Sequence, residues 1–356
     1  MSNHANPIAP DSIAADLVAL PAQPSQTNWP TRSWPKAALH SQDNARFEQI
    51  AAELFDQSSP AGVTYALLVI QRGELVYEQY GAGASPLYLQ YSWSMAKSIV
   101  HALAGILVGA GRLDLYAPIE RPEWQGDARR EITLDYLLRM SSGLEFNEDY
   151  VDGQVSDVIA MLQFDARHDM AAFAASKPLS HPPNSHWSYS SGTTNIIARL
   201  IGDVIGGGAS GMLQFMNEAL FEPIGIRTAT PRFDSLGTFV GSSFLFATPQ
   251  DFARFGLLYL RNGVWDGKQL LPPGWVNYGR SATYADEQES YGAHWWLRPD
   301  RPGWFYASGY DCQRIICVPQ QDVIVVRCGR TPENDAPYVS DRLDGLIDLL
   351  AENKAG

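Results

Sequence analysis

Strand-forming runs lie at the two ends of this chain, and helix-forming runs fill the stretch between them. Thr64 to Ile70 and Glu74 to Tyr80 flank the turn Gln71-Arg72-Gly73 and read as paired strands. Trp304 to Ala307, Arg314 to Pro319 and Val323 to Cys328 read as three more. The sequence between has apolar residues at helical spacing. It predicts helices over Ile99 to Leu107, Leu134 to Met140, Val155 to Phe164, Met170 to Ser176, Thr194 to Ile205 and Met212 to Leu220. Asn44 to Phe55, Ala247 to Arg261 and Val339 to Glu352 add three more, the second opened by Thr248-Pro249. The expected fold is therefore α+β: one antiparallel sheet formed by both chain ends, flanking helices, and an inserted, mostly helical lobe. The expected division is an α/β domain of residues 1–91 and 235–356 and a helical domain of residues 92–234. Residues 1–42, rich in Pro, Ala, Ser and Trp, read as an arm draped over the α/β domain.

With 356 residues, 45% of them hydrophobic, the chain can bury a sizeable core. Its net charge of −13 argues against a nucleic-acid partner, since surfaces that bind nucleic acid are basic. No apolar run approaches a membrane span, and Met1 to Pro7 lacks the basic start and apolar core of a signal peptide. Cys312, Cys317 and Cys328 are odd in number and clustered, which does not make a disulfide framework. Their apolar neighbours mark them as buried strand thiols. A cytoplasmic location is expected. The sequence leaves the oligomeric state open.

Tyr91-Ser92-Trp93-Ser94-Met95-Ala96-Lys97 can place a nucleophile and its base one helical turn apart. Ser94 sits at the start of the helix predicted through Leu107, and Lys97, three positions on, shares its face. A serine hydroxyl is a poor nucleophile until a base takes its proton. A lysine in a dry pocket has its pKa lowered enough to be that base. The unpaired N–H groups of a helix start also favour a developing oxyanion. A second Ser-x-x-Lys, Ser33 to Lys36, lies in the Pro- and Trp-rich arm, where no helix start is expected.

Further along, Pro182 to Asn195 reads as a turn entering a helix near Thr194, with Tyr189 among small polar residues. Ser94-Met95-Ala96-Lys97 followed by Tyr189-Ser190-Ser191 resembles the penicillin-recognising serine hydrolases, which include β-lactamases, penicillin-binding proteins and related esterases and amidases. Gly111 to Pro118, Ile132 to Leu144, Phe221 to Gly225 and Ala247 to Gly256 resemble segments of the class C-like branch. The resemblance implies a β-lactamase/transpeptidase-like fold, an acyl-enzyme on Ser94, and acid–base work by Lys97 and Tyr189. Phe146 to Asp152 is similar to a segment in the branch that cleaves 6-aminohexanoate dimers, linear nylon-oligomer amides. The matching tyrosine there contacts the substrate amide. The resemblance implies that role for Tyr150; a packing tyrosine in a loop is the alternative.

The family's third motif is usually Lys-Thr-Gly or His-Thr-Gly. Here it is Ala307-Ser308-Gly309, without a cation. In β-lactam-binding relatives that cation helps hold the substrate carboxylate, so its absence argues against penicillin as substrate. Gly309 lets a substrate approach the strand closely. By the resemblance, Ser191 and Ser308 face the substrate, and the Tyr310 N–H joins that of Ser94 as second oxyanion donor. His294 is read either as a pocket residue or as a structural histidine, and it has no second metal ligand nearby in sequence. His101 shares the Ser94 helix two turns below the nucleophile, in a buried position. Neither metal nor organic cofactor is needed. The expected activity is hydrolysis of a small-molecule amide or ester. The alternatives are a D-amino-acid peptidase or carboxypeptidase of penicillin-binding type and a non-catalytic binding protein on the same scaffold.

Overall fold

Strands β1 (Val63–Gln71) and β2 (Glu74–Tyr80) form a hairpin in which Gln71 faces Glu74. The two turn residues, Arg72 and Gly73, both take positive φ, 53° and 78°. That backbone twist matches the twist of the strands it joins. The computed structural model describes residues 17–81, 83–149, 155–285 and 290–350. In it, β3 (Tyr284–Ala285), β4 (Ser290–Tyr291), β5 (Trp296–Leu297), β6 (Phe305–Gly309), β7 (Gln313–Val318) and β8 (Val323–Arg330) join the hairpin in one sheet. Its order is β2-β1-β8-β7-β6-β5-β4-β3, antiparallel at each junction. The pairing of β1 with β8 closes the sheet from both chain ends, as the strand distribution predicts. Strands β3 to β5 extend it beyond the five that the sequence marks, because two-residue strands carry no readable alternation.

The helices are α1 (Asn44–Phe55), α2 (Ala96–Gly109), α3 (Leu134–Leu138), α4 (Asp157–Gln163), α5 (Met170–Ala175), α6 (Ser191–Ile205), α7 (Gly208–Met216), α8 (Pro249–Leu260), α9 (Trp275–Gly279) and α10 (Ala336–Asp348). The helix expected over Met212 to Leu220 is the end of α7 plus a π turn at Asn217–Phe221. The chain thus combines ten α-helices among the described residues with a main antiparallel sheet built from both chain ends, as the α+β expectation requires.

Both sheet faces are covered, which is why β1 and β8 are nearly continuous apolar runs rather than strict alternations. Leu67, Val69, Ile316, Val323 and Val325 pack under α1 and α10. Ala66, Leu68, Ile70, Ile315, Ile324 and Val326 join α2 and α8 in the other core. Gly256 permits the close approach of α8: a Cβ there would stand 2.8 Å from the Ile315 side chain.

The arm is tied down by specific bonds. Arg254 Nε donates to Pro30 O at 2.8 Å, Arg261 Nε to Gln23 Oε1 at 2.9 Å, and Trp265 Nε1 to Thr31 Oγ1 at 2.8 Å. The second Ser-x-x-Lys is not helical: Lys36 forms an isolated bridge with Leu75 and pairs with Glu78 at 3.2 Å. No single helix among the described residues is long and apolar enough to cross a membrane.

Candidate active site

A 3-10 turn, Trp93–Met95, leads into α2 and carries Ser94. The turn is anchored from Ser92, whose N–H donates to Leu245 O at 2.9 Å and whose Oγ accepts from Leu245 N at 3.1 Å. Trp93 takes φ +43°, a conformation that costs a bulky residue free energy and persists only where packing enforces it. Its ring is held by Tyr91 (5.4 Å between centroids), Tyr310 (5.8 Å) and Phe244 (6.0 Å).

Lys97 is buried on α2 and its Nζ donates three hydrogen bonds of 3.0 Å: to Ser94 Oγ, Ser191 Oγ and Ser242 O. It also stands 4.7 Å over the Tyr189 ring. Burial pushes the Lys97 pKa down to about 8, against the opposing charge of Glu148. Roughly a tenth of the amine is therefore neutral at pH 7. The Tyr189 hydroxyl is hydrogen-bonded to Ser94, and burial and the Glu148 charge hold its pKa well above the ordinary phenol value. Burial thus disfavours the charged form of both groups, the Lys97 ammonium and the Tyr189 phenolate.

Ser94 and Tyr189 open onto a cavity of about 280 Å³, and Ser308, Gly309 and Tyr310 line it too. Gly309 serves a nearer purpose than substrate approach. A Cβ there would lie 2.3 Å from Ser92 O, so only glycine lets β6 lie against the nucleophile's turn. Tyr310 packs edge-on against Trp93 with its side chain half exposed. Ser191 and His294 are not cavity residues. Ser191 is fully buried behind Lys97, where its N–H and Oγ both donate to the Glu148 carboxylate. His294 uses both ring nitrogens internally, with Leu138 O at 2.8 Å and Thr194 Oγ1 at 2.9 Å. Burial lowers its pKa to about 3, which fits the structural reading of the two left open. His101 is buried too, bonded to the Tyr259 hydroxyl at 2.7 Å. Tyr150 lies outside the described residues.

Four charged residues that line the cavity, Glu148, Asp311, Arg314 and Glu333, escaped the sequence. Glu148 closes a chain of hydrogen bonds, Glu148–Ser191–Lys97–Ser94. Its proximity to Tyr150 in sequence was the available signal. Arg314 reaches the cavity from β7. Ala307 itself is buried in the core, so the position that lacks the family cation faces away from Arg314's side of the sheet. Trp296 completes a wall, 5.4 Å from the Tyr189 ring. Helix α6 begins at Ser191 rather than near Thr194. Ser190 caps it through Thr193 N at 3.1 Å, and Gly192 lies so close to Phe146 that a Cβ would sit 2.5 Å away. No cluster of three His, Cys, Asp or Glu side chains among the described residues is placed to hold a metal ion.

A serine beside a buried amine, a protonated phenol and a strand edge is the machinery of a serine hydrolase. The profile of the Beta-lactamase family matches residues 47–344, and the chain belongs to that family. Among its relatives, 6-aminohexanoate-dimer hydrolase of Paenarthrobacter ureafaciens is 25% identical over 88% of this chain and 86% of its own length. A Bacillus anthracis structure provisionally assigned the same activity superposes with TM-score 0.75 at 24% identity, over 92% of this chain and 89% of that one. A D-alanine carboxypeptidase from Burkholderia cenocepacia superposes with TM-score 0.61 at 15% identity, over 85% and 99%. These last two likenesses speak for the fold.

Proposed function

We propose that this hydrolase cleaves small amides or esters through an acyl-enzyme on Ser94. The observation that carries the reading is the buried Lys97 amine, 3.0 Å from Ser94 Oγ with its pKa lowered to about 8. Neutral Lys97 takes the Ser94 proton as Oγ bonds to the carbonyl carbon. The N–H groups of Ser94 and Tyr310 receive the oxyanion, a role that the family resemblance supports for Tyr310. Collapse breaks the bond to the leaving nitrogen or oxygen, which takes the Tyr189 proton; the Lys97 ammonium restores it. A water then attacks the acyl-enzyme with the same groups in reversed roles. Likeness to a 6-aminohexanoate-dimer hydrolase supports an amide among the substrates, and Tyr150 is read as a contact to the amide N–H. The test is Ser94→Ala: turnover of p-nitrophenyl esters and of linear amides should fall by several orders of magnitude with the fold intact by circular dichroism. Retention of more than about a tenth of the wild-type rate would exclude this mechanism.

A further inference from the structure

We infer that Arg327 is a positioning residue for the oxyanion site, its guanidinium clamping the turn that presents the Tyr310 N–H to the reacting carbonyl. The inference rests on the Ser94 mechanism proposed above and deepens it. Tyr310, Asp311 and Cys312 form the whole connection between β6, which ends at Gly309, and β7, which begins at Gln313. Asp311 and Cys312 both take positive φ, 62° and 60°. Two successive side chains in the left-handed region are costly, and such a backbone persists only where its surroundings hold it.

Arg327, on β8, supplies that hold. It is fully buried yet forms no ion pair among the described residues, whereas the buried Arg139, Arg254 and Arg261 each hold an aspartate. A buried cation without a counter-ion has to place its donors on dipoles, and the planar fork divides them between two parts of the chain. Nη1 donates to Asp311 O at 2.8 Å and to Cys312 O at 3.3 Å. The other side of the fork grips the entry to β1. There Nη2 donates to Ala61 O at 3.1 Å and Val63 O at 3.4 Å, and Nε and Nη2 reach Thr64 Oγ1 at 3.3 and 3.1 Å. Nη2 also donates to Thr331 Oγ1 at 2.8 Å. One rigid group thereby pins the turn to β1. Glycine at 329 leaves it room, since a Cβ there would stand 2.3 Å from Arg327 Cζ.

The clamped carbonyls belong to the two residues that follow Tyr310. Freeing them lets the Tyr310 backbone rotate, and an N–H donor weakens steeply once it is misaimed. The same turn touches the nucleophile's side, because the Tyr310 ring packs edge-on against Trp93, the residue before Ser94. Arg327 has no exposed surface and meets no substrate, so its effect on the reaction passes through this turn.

The rival role is plain support: an arginine that ties β8 to β1 and stabilises the fold without regard to the oxyanion. That role lowers the melting temperature and leaves the chemistry of the folded enzyme alone. The test compares wild type, Arg327→Lys and Arg327→Met well below their melting temperatures. One arm measures kcat and KM for p-nitrophenyl butyrate. The other measures inhibition by 1-propaneboronic acid, which forms a tetrahedral adduct with a serine, against planar butyramide. In Arg327→Met, kcat should fall at least about tenfold with KM within about threefold, and boronate affinity should fall at least about tenfold with butyramide affinity unchanged. Arg327→Lys should lie between, because charge returns without the fork. Ile201→Ala, a cavity variant in the far half of α6, controls for lost stability and should lower the melting temperature alone. Thr64→Val is isosteric and frees one side of the fork; it should show the same split at about threefold, and it decides by the same criteria where the arginine variants do not fold. Wild-type kcat with an unchanged boronate-to-butyramide ratio, equal losses of both inhibitors, or the same split in Ile201→Ala overturns the inference. Ser94→Ala run in parallel separates the two readings. If it keeps ester activity, the Ser94 mechanism fails and this inference with it; if it loses activity while the arginine variants keep the wild-type kcat and ratio, only the Arg327 assignment fails.

Discussion

Replacing Glu148 by Gln should move the pH–rate profile toward acid. In the wild type, kcat/KM is expected to rise with pH as Lys97 loses its proton, with a midpoint near the pKa of about 8. Tyr189, held above the ordinary phenol range, keeps its proton across that interval. The Glu148 charge favours the ammonium form of Lys97 and so raises its pKa. The two hydrogen bonds through Ser191, 3.0 and 2.5 Å, put ammonium and carboxylate within about 5.5 Å when laid end to end. At an effective dielectric constant near 20, that is about 3 kcal/mol, or roughly 2 pKa units. Glu148 faces the cavity, so water screens part of this, and a shift of about 1 unit is the working expectation. Removing the charge should therefore bring the midpoint to about 7 and raise the fraction of neutral amine at pH 7. Gln keeps one acceptor oxygen, enough for one of the two hydrogen bonds that Ser191 donates to the carboxylate. The assay is kcat/KM for p-nitrophenyl butyrate from pH 5.5 to 9.5, about the range over which an amine of this pKa titrates, with buffer blanks subtracted. A midpoint that stays put or rises would mean that Lys97 is not the titrating base or that Glu148 does not act on it.

Tyr150→Phe should cost amide cleavage about 1–3 kcal/mol in kcat/KM and spare p-nitrophenyl ester cleavage, because only the amide offers an N–H to the lost hydroxyl. Equal losses would make Tyr150 structural or general to acylation. Gly309→Ala should lower ester kcat by about a hundredfold while the protein still folds, since the added Cβ meets Ser92 O at 2.3 Å and pushes β6 off the nucleophile's turn. Near-normal kcat with an unaltered melting temperature would refute that account of the glycine.

The sequence by itself determined whatever depends on neighbours along the chain. Helical spacing brings Lys97 back over Ser94, because three residues make close to one turn. The Arg72-Gly73 turn sets the β1–β2 hairpin, and the apolar runs at both ends specify a sheet covered on its two faces. Family resemblance added Tyr189, which no local pattern singles out. Tertiary structure alone decided the rest. Glu148 and Arg314 lie in a loop and on a strand where one polar residue looks like any other; what gives them meaning is the packing of that loop on α6 and the register that sets Arg314 opposite Ser308. Ser191 and His294 show the converse. Their residue types suit a binding site, yet the fold turns both inward and satisfies their polar atoms with Lys97, Glu148, Leu138 and Thr194. A buried polar group must find partners, and partners far away in sequence are chosen by the fold's long-range contacts, which periodicity does not encode.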